Sequence, residues 1–75
     1  MAIDWSKCDL VEIVPGKVSG EPLLKGTRMP VNTIVDNYEY GLSVAEISEQ
    51  FDIDESTVRE VLIFAERQHG LARPI

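Results

Sequence analysis

The sequence predicts a mainly α fold: three helices, the last two set as a helix-turn-helix, preceded by a short N-terminal β segment. Three observations predict it. At Pro30 the apolar residues change from short, interrupted runs to recurrence at i, i+3, i+4 and i+7, the period of one helix face. Downstream, a Ser-x-x-Glu box and an Asp stand where two further helices would begin. Glycines follow the first and last of these patterns.

The chain has 75 residues, 44% of them hydrophobic and 27% charged, which suits one folded domain over 1–75 and is too apolar for a disordered tail. A core this small rarely supplies more than about 3–5 kcal/mol, so a further source of stability is expected. Cys8 is the one cysteine, which excludes an internal disulfide, and no Cys/His cluster offers a structural zinc site. Oligomerisation, most simply a homodimer, is the expected staple. No apolar run approaches a membrane span, and MAIDWSKCDL lacks the charged start and apolar middle of a signal peptide. The cytoplasm is the default compartment.

The β segment is expected over about 10–29. LVEIV, Leu10 to Val14, has the β-branched bias of a strand, and Pro15-Gly16 closes it as a turn. Val18, Leu23-Leu24 and Thr27 to Met29 are its candidate partners, each run being cut short by Gly20, Pro22 or Gly26. The first helix, about 31–40, has Val31, Ile34, Val35 and Tyr38 on one stripe, with Pro30 suited to its first turn and Gly41 to its stop. The second, about 44–50, begins at the capping box of Ser43 and Glu46. The third, about 55–69, has Asp54 as its N-cap, Glu55 at the positive end of its dipole, Gly70 as its stop and Pro74 beyond.

Between the last two helices lies a three-residue turn, Asp52 to Asp54, with apolar Ile53 at its centre. Ile47, Phe51 and Ile53 should point inward and meet Val58, Val61, Leu62 and Ala65 of the third helix. Two positions depart from the usual pattern of this motif: Ser48 replaces a small alanine and Asp52 replaces a glycine. Serine is nearly as small as alanine, and aspartate tolerates the left-handed conformation.

Shape alone does not make a DNA reader. Residues 32–75 hold nine acids against three bases and carry the whole net charge of −6, a surface that repels phosphate. The exposed start of the third helix offers Glu55, Ser56, Arg59 and Glu60, of which Arg59 alone has the fork that suits guanine. If DNA is bound, Arg59 and Arg67 lie nearest the duplex, with Lys17, Lys25 and Arg28 on phosphates. The opposing reading is a protein-facing or solvated helix. Ile63 falls off the core stripe and Phe64 at its edge, which makes them candidate dimer or partner contacts. Trp5 is a third, anchoring the N-terminal arm on the domain or on a partner.

The order of motifs resembles the domain of unknown function 433 family: a strand, then Gly20-x-Pro22-x-x-x-Gly26-Thr27-Arg28-x-Pro30-Val31, a helix ending in Gly41-Leu42-Ser43, and then Glu46, Ile47, Phe51, Val58 and Ala65. The likeness covers about residues 11 to 66. It implies a small prokaryotic helix-turn-helix protein; some members of that family are regarded as antitoxins, often beside nuclease toxins of the PIN-domain kind. By that likeness the chain is expected to bind a partner protein, a toxin, and its own operator DNA. A protein-interaction or structural module of the same shape, with no DNA binding, is the alternative.

Other chemistries find little support. GEPLLKGTRMPV has two glycines but not a phosphate-cradling order, since Lys25 precedes Gly26 and Pro30 separates Thr27 from the helix. Its residues read as turn formers, with Arg28 more suited to an ion pair with a helix carboxylate, within the chain or between subunits, than to DNA. His69 reads as a helix-end residue, not a metal ligand. Cys8 is expected in a loose arm, without a paired base. Asp36 and Glu39, or Asp52, Asp54 and Glu55, lack the spacing of a calcium loop and read as caps and solvated faces. With no nucleophile, base and orienting group in sight, no catalytic activity, metal or cofactor is expected.

Overall fold

The computed structural model describes residues 3–16 and 20–72. A 3-10 turn at Trp5–Lys7 leads into strand β1 (Val11–Glu12), strand β2 (Leu23–Leu24) and helices α1 (Val31–Tyr40), α2 (Val44–Phe51) and α3 (Glu55–Gln68). The fold is mainly α, with a small two-stranded sheet near the N-terminus. Lys17, Val18 and Pro74 lie outside the described residues, so the phosphate contact expected of Lys17, the strand pairing expected of Val18 and the stop expected of Pro74 have no structural account.

Of the candidate strand partners among the described residues, Leu23-Leu24 is the run that pairs with β1. The strands run antiparallel with Val11 opposite Leu24 and Glu12 opposite Leu23. Two residues a side make a ribbon too short to stand alone, and its inner side chains are held by the helices. Leu23 is fully buried, and Val11 and Leu24 nearly so. The chain then folds back on itself. The Leu24 amide donates to the Met29 carbonyl (2.9 Å), the Thr27 hydroxyl donates to the Leu24 carbonyl (2.7 Å), and the same hydroxyl accepts from the Met29 amide (3.0 Å). Gly26, at φ +78°, lies where the turn needs the left-handed region, and its amide donates to Glu12 (3.1 Å). The GEPLLKGTRMPV stretch is therefore a tight return that hands the chain to Pro30, which stands at the N-cap of α1.

The expected stripes form the core. Val31, Ile34, Val58, Val61, Leu62 and Ala65 have no exposure, nor does Ile47 from α2, while Val35 and Tyr38 are nearly as buried. Phe51 and Ile53 are half-buried against the same cluster. α1 ends in a Schellman motif, with the Leu42 amide reaching the Asn37 carbonyl and the Gly41 amide that of Tyr38, both at 3.1 Å. Gly41 adopts φ 127°, which explains why a glycine stands there.

The capping box of α2 is complete: the Glu46 amide donates to the Ser43 hydroxyl (3.1 Å) and the Ser43 amide to the Glu46 carboxylate (2.8 Å). Asp52 ends the helix in the left-handed region (φ 56°, ψ 52°), as its tolerance for that conformation allows. Ser48 suits the tight approach, since its hydroxyl donates to the Ile53 carbonyl and its own carbonyl accepts from the Ile53 amide (3.0 Å). Asp54 does stand at the N-cap of α3, but its side chain makes no capping bond. Its carboxylate acts there only through its charge near the helix start.

The N-terminal arm corrects an expectation. Cys8 is not in a loose arm; it is buried in the main cluster, its amide donating to the Trp5 carbonyl (3.0 Å) to close the 3-10 turn. The reason is Trp5, whose indole is only 2% exposed and draws the arm onto the helices. Asp4 caps the turn, accepting from the Ser6 hydroxyl (2.6 Å) and amide (3.1 Å). Those two bonds, the hydroxyl's first, hold the Asp4 carboxyl below its ordinary range.

Candidate functional site

The outer face of α3 and the arm beside it form the most developed surface feature tied to the residues singled out from the sequence. The arm from Lys7 to Leu10 makes one wall of an open groove of about 520 Å³, and Glu60, Ile63, Phe64 and Arg67 make the other. Those four α3 residues recur at i, i+3, i+4 and i+7, so they share one helix face, distinct from the Val58–Ala65 face given to the core. Ile63 and Phe64 are half-buried there, and Glu60 and Arg67 are exposed on either side.

Two contacts of the Trp5 side chain help fix the arm. The Trp5 ring stacks on Phe64 with centroids 5.4 Å apart and planes 22° from parallel, and its indole N–H donates to the Asn32 side-chain oxygen at 3.0 Å. Of the two roles open to Trp5, this places it on its own domain, filling the core as the groove's foundation. Phe64 has one side on Trp5 and is thereby held in the groove wall. Ile63 is the apolar residue of α3 lining this groove that needs no internal partner to explain its place.

Each of the described candidate DNA contacts has its own surroundings, and acids are prominent in most of them. Arg59 lies 3.7 Å from Glu55 on the same helix, one turn away, with both side chains about half exposed (49% and 54%). Such a surface pair contributes a few tenths of a kcal/mol, about 0.3–0.5. Its consequence is electrostatic: the guanidinium at the head of α3 has a carboxylate beside it. Lys25 lines a second groove, with Asp9, Asp52, Asp54 and Thr57 around it. Arg67 is in the first groove with Lys7, but Asp9 and Glu60 line it too. Arg28 is exposed, and among the described residues it has no carboxylate partner, so the ion pair expected within the chain is not made. The tight return at Lys25–Met29 is closed by Thr27 and backbone groups instead, leaving the guanidinium in water.

Among the described residues, no three His, Cys, Asp or Glu side chains are gathered as metal ligands, and no helix is long and apolar enough to cross a membrane. The last turn of α3 is closed by amides: that of Gly70 donates to the Glu66 carbonyl (2.9 Å) and that of Leu71 to the Glu66 carboxylate (3.0 Å). Sequence reasoning missed Asn32 and the Lys7–Leu10 wall. A lone Asn inside a helical pattern carries no local signal that a tryptophan 27 residues away will donate to it.

A family model described as a protein of unknown function (DUF433) matches residues 11–65, which include the ribbon, the tight return, all of α1 and α2 and most of α3. The chain belongs to that family. The match begins after the arm, so Trp5 and the Lys7–Leu10 wall of the groove lie outside the matched span, while Phe64 and Asn32, which Trp5 meets, lie inside it. No curated protein and no solved structure shows significant similarity to the chain.

Proposed function

We propose that this protein is an antitoxin-like binding protein of helix-turn-helix shape, which works by protein–protein contact, without chemistry of its own, and presents the outer face of α3 as a protein interface. The observation that carries this reading is the Glu60–Arg67 groove. It offers apolar Ile63 and Phe64 between charged residues of both signs, the apolar centre and polar rim of a protein interface. The toxin as partner comes from family resemblance, not from the groove.

Operator DNA is the second reading, favoured by the three-residue turn between α2 and α3. Charge weighs against it, because Glu55 lies beside Arg59, and Asp52 and Asp54 stand at the same end of α3. Specific sites bind with Kd of about 10⁻⁸–10⁻¹¹ M. Fluorescence anisotropy with the DNA upstream of the gene tests this directly. A Kd weaker than about 10⁻⁶ M, unchanged by Arg59→Ala, is expected here and marks non-specific binding at most.

The antitoxin role is tested by capture of the tagged full chain from its native host. The expected result is a nuclease encoded beside this gene, whose activity falls on titration with the purified protein. A chain that captures no neighbour-encoded protein, or captures one without inhibiting it, overturns the antitoxin reading.

A further inference from the structure

We infer that the occupant of the α3 groove is a second copy of this chain, its own α3 lying antiparallel in the groove about a two-fold axis. The inference rests on the reading of this face as a protein interface, and it names the partner from the pattern of charge. Along the face the order is acid, apolar, apolar, base: Glu60, Ile63, Phe64, Arg67. An axis midway between Ile63 and Phe64 sets Ile63 of each copy opposite Phe64 of the other. The same axis sets Glu60 of each copy level with Arg67 of the other, so two opposite-charge pairs flank one apolar centre.

The spacing is suited to this. Glu60 and Arg67 are separated by about 10.5 Å along the helix at 1.5 Å per residue, two turns, which leaves room for both apolar residues between the pairs. Helices in contact lie about 8–10 Å apart, a distance that long Glu and Arg side chains on adjoining flanks can bridge. A parallel pair would instead set Glu60 beside Glu60 and Arg67 beside Arg67. Antiparallel pairing is therefore favoured, and parallel pairing penalised, by the same two residues. Both are exposed, and among the described residues neither is engaged in an ion pair, so they are available to the second copy. The arm contributes by holding Phe64 through the Trp5 stack, which keeps the centre of the face fixed before association.

Charge reversal with rescue tests the proposal. Sedimentation equilibrium of the full chain at micromolar concentration should give twice the 8.4 kDa protomer mass. Glu60→Arg and Arg67→Glu should each weaken the dimer by at least roughly tenfold, since each sets like charges across both flanks. An equimolar mixture of these two variants should recover a dimer holding one of each, and the double variant, with the order of charge inverted, should dimerise alone. Helical circular dichroism follows folding, and Glu60→Gln with Arg67→Gln supply a milder pair should a reversal unfold the chain. A monomeric wild type overturns the inference. So does a dimer indifferent to the single reversals, or one that the mixture fails to restore. Failure of the antitoxin reading is separate: a rescued dimer that captures no toxin removes only that reading, and a monomer that inhibits a toxin removes only this one.

Discussion

Replacing Trp5 by alanine should remove a large share of the stability of this protein, although that residue stands six positions before the first strand. Typical stability of about 0.05–0.15 kcal/mol per residue gives this 75-residue chain roughly 4–11 kcal/mol. Truncating a buried tryptophan removes about 3–5 kcal/mol, transfer and cavity together. Trp5 is 2% exposed, stacks on Phe64 and donates to Asn32, so the full amount applies. Trp5→Phe keeps a ring against Phe64 and gives up the hydrogen bond, for a loss of about 1–2 kcal/mol. Asn32→Ala leaves the indole N–H without its acceptor, at about 1–3 kcal/mol. The assay is urea unfolding followed by helical circular dichroism at one fixed protein concentration, because association would couple stability to concentration. Trp5 is the sole tryptophan, so its emission reports on the arm alone and should be blue-shifted in the native state. An arm that merely lay on the surface would change stability by within about 0.5 kcal/mol on substitution. A Trp5→Ala loss below about 1 kcal/mol, or native emission at the wavelength of solvated indole, refutes the latch.

Three further outcomes follow from the helix ends and the arm. In thermal unfolding, Asp52→Val should be less stable than Asp52→Gly by about 1–2 kcal/mol, because the position is left-handed and a β-branched side chain cannot adopt it cheaply; equal stabilities would mean the turn relaxes. Ser43→Ala should lose about 1 kcal/mol, as expected for a complete capping box, whereas Asp54→Ala, which breaks no capping bond, should lose no more than about half of that. By NMR titration the Asp4 carboxyl should have its midpoint below its ordinary value of 3.8, and Ser6→Ala should raise it. A carboxyl with a depressed folded pKa contributes its stability in full above the ordinary value and loses it as pH falls through the folded one. Acid should therefore weaken the arm's first turn, whereas near neutrality the contribution of Asp4 is full and does not change with pH.

Much of the helical half was legible residue by residue, for a physical reason. Helix formation is local, so the stripe Val31, Ile34, Val35, Tyr38, the stop at Gly41 and the box at Ser43–Glu46 each declare themselves within one or two turns of chain. Asp52 was readable in the same way, since left-handed tolerance is a property of the residue. The β segment was less so. Its bend at Pro15-Gly16 and its glycines marked the interruptions, but several runs had comparable strand character, and at Leu23-Leu24 the pairing with β1 goes with burial of both leucines, Leu24 in the main cluster with the helices.

Local chemistry by itself determined the three helices, their caps, the turn between the last two and the apolar stripe of each. Tertiary structure decided what lies across from what. It carried Trp5 over Phe64 and onto Asn32, buried Cys8 and left Arg28 in water. Helical periodicity acts within a few residues, whereas the contacts of the Trp5 ring with Asn32 and Phe64 span 27 residues or more, and no pattern in one segment specifies which distant side chain will close over it. The groove on α3 exists only because both of its walls are brought together in that way.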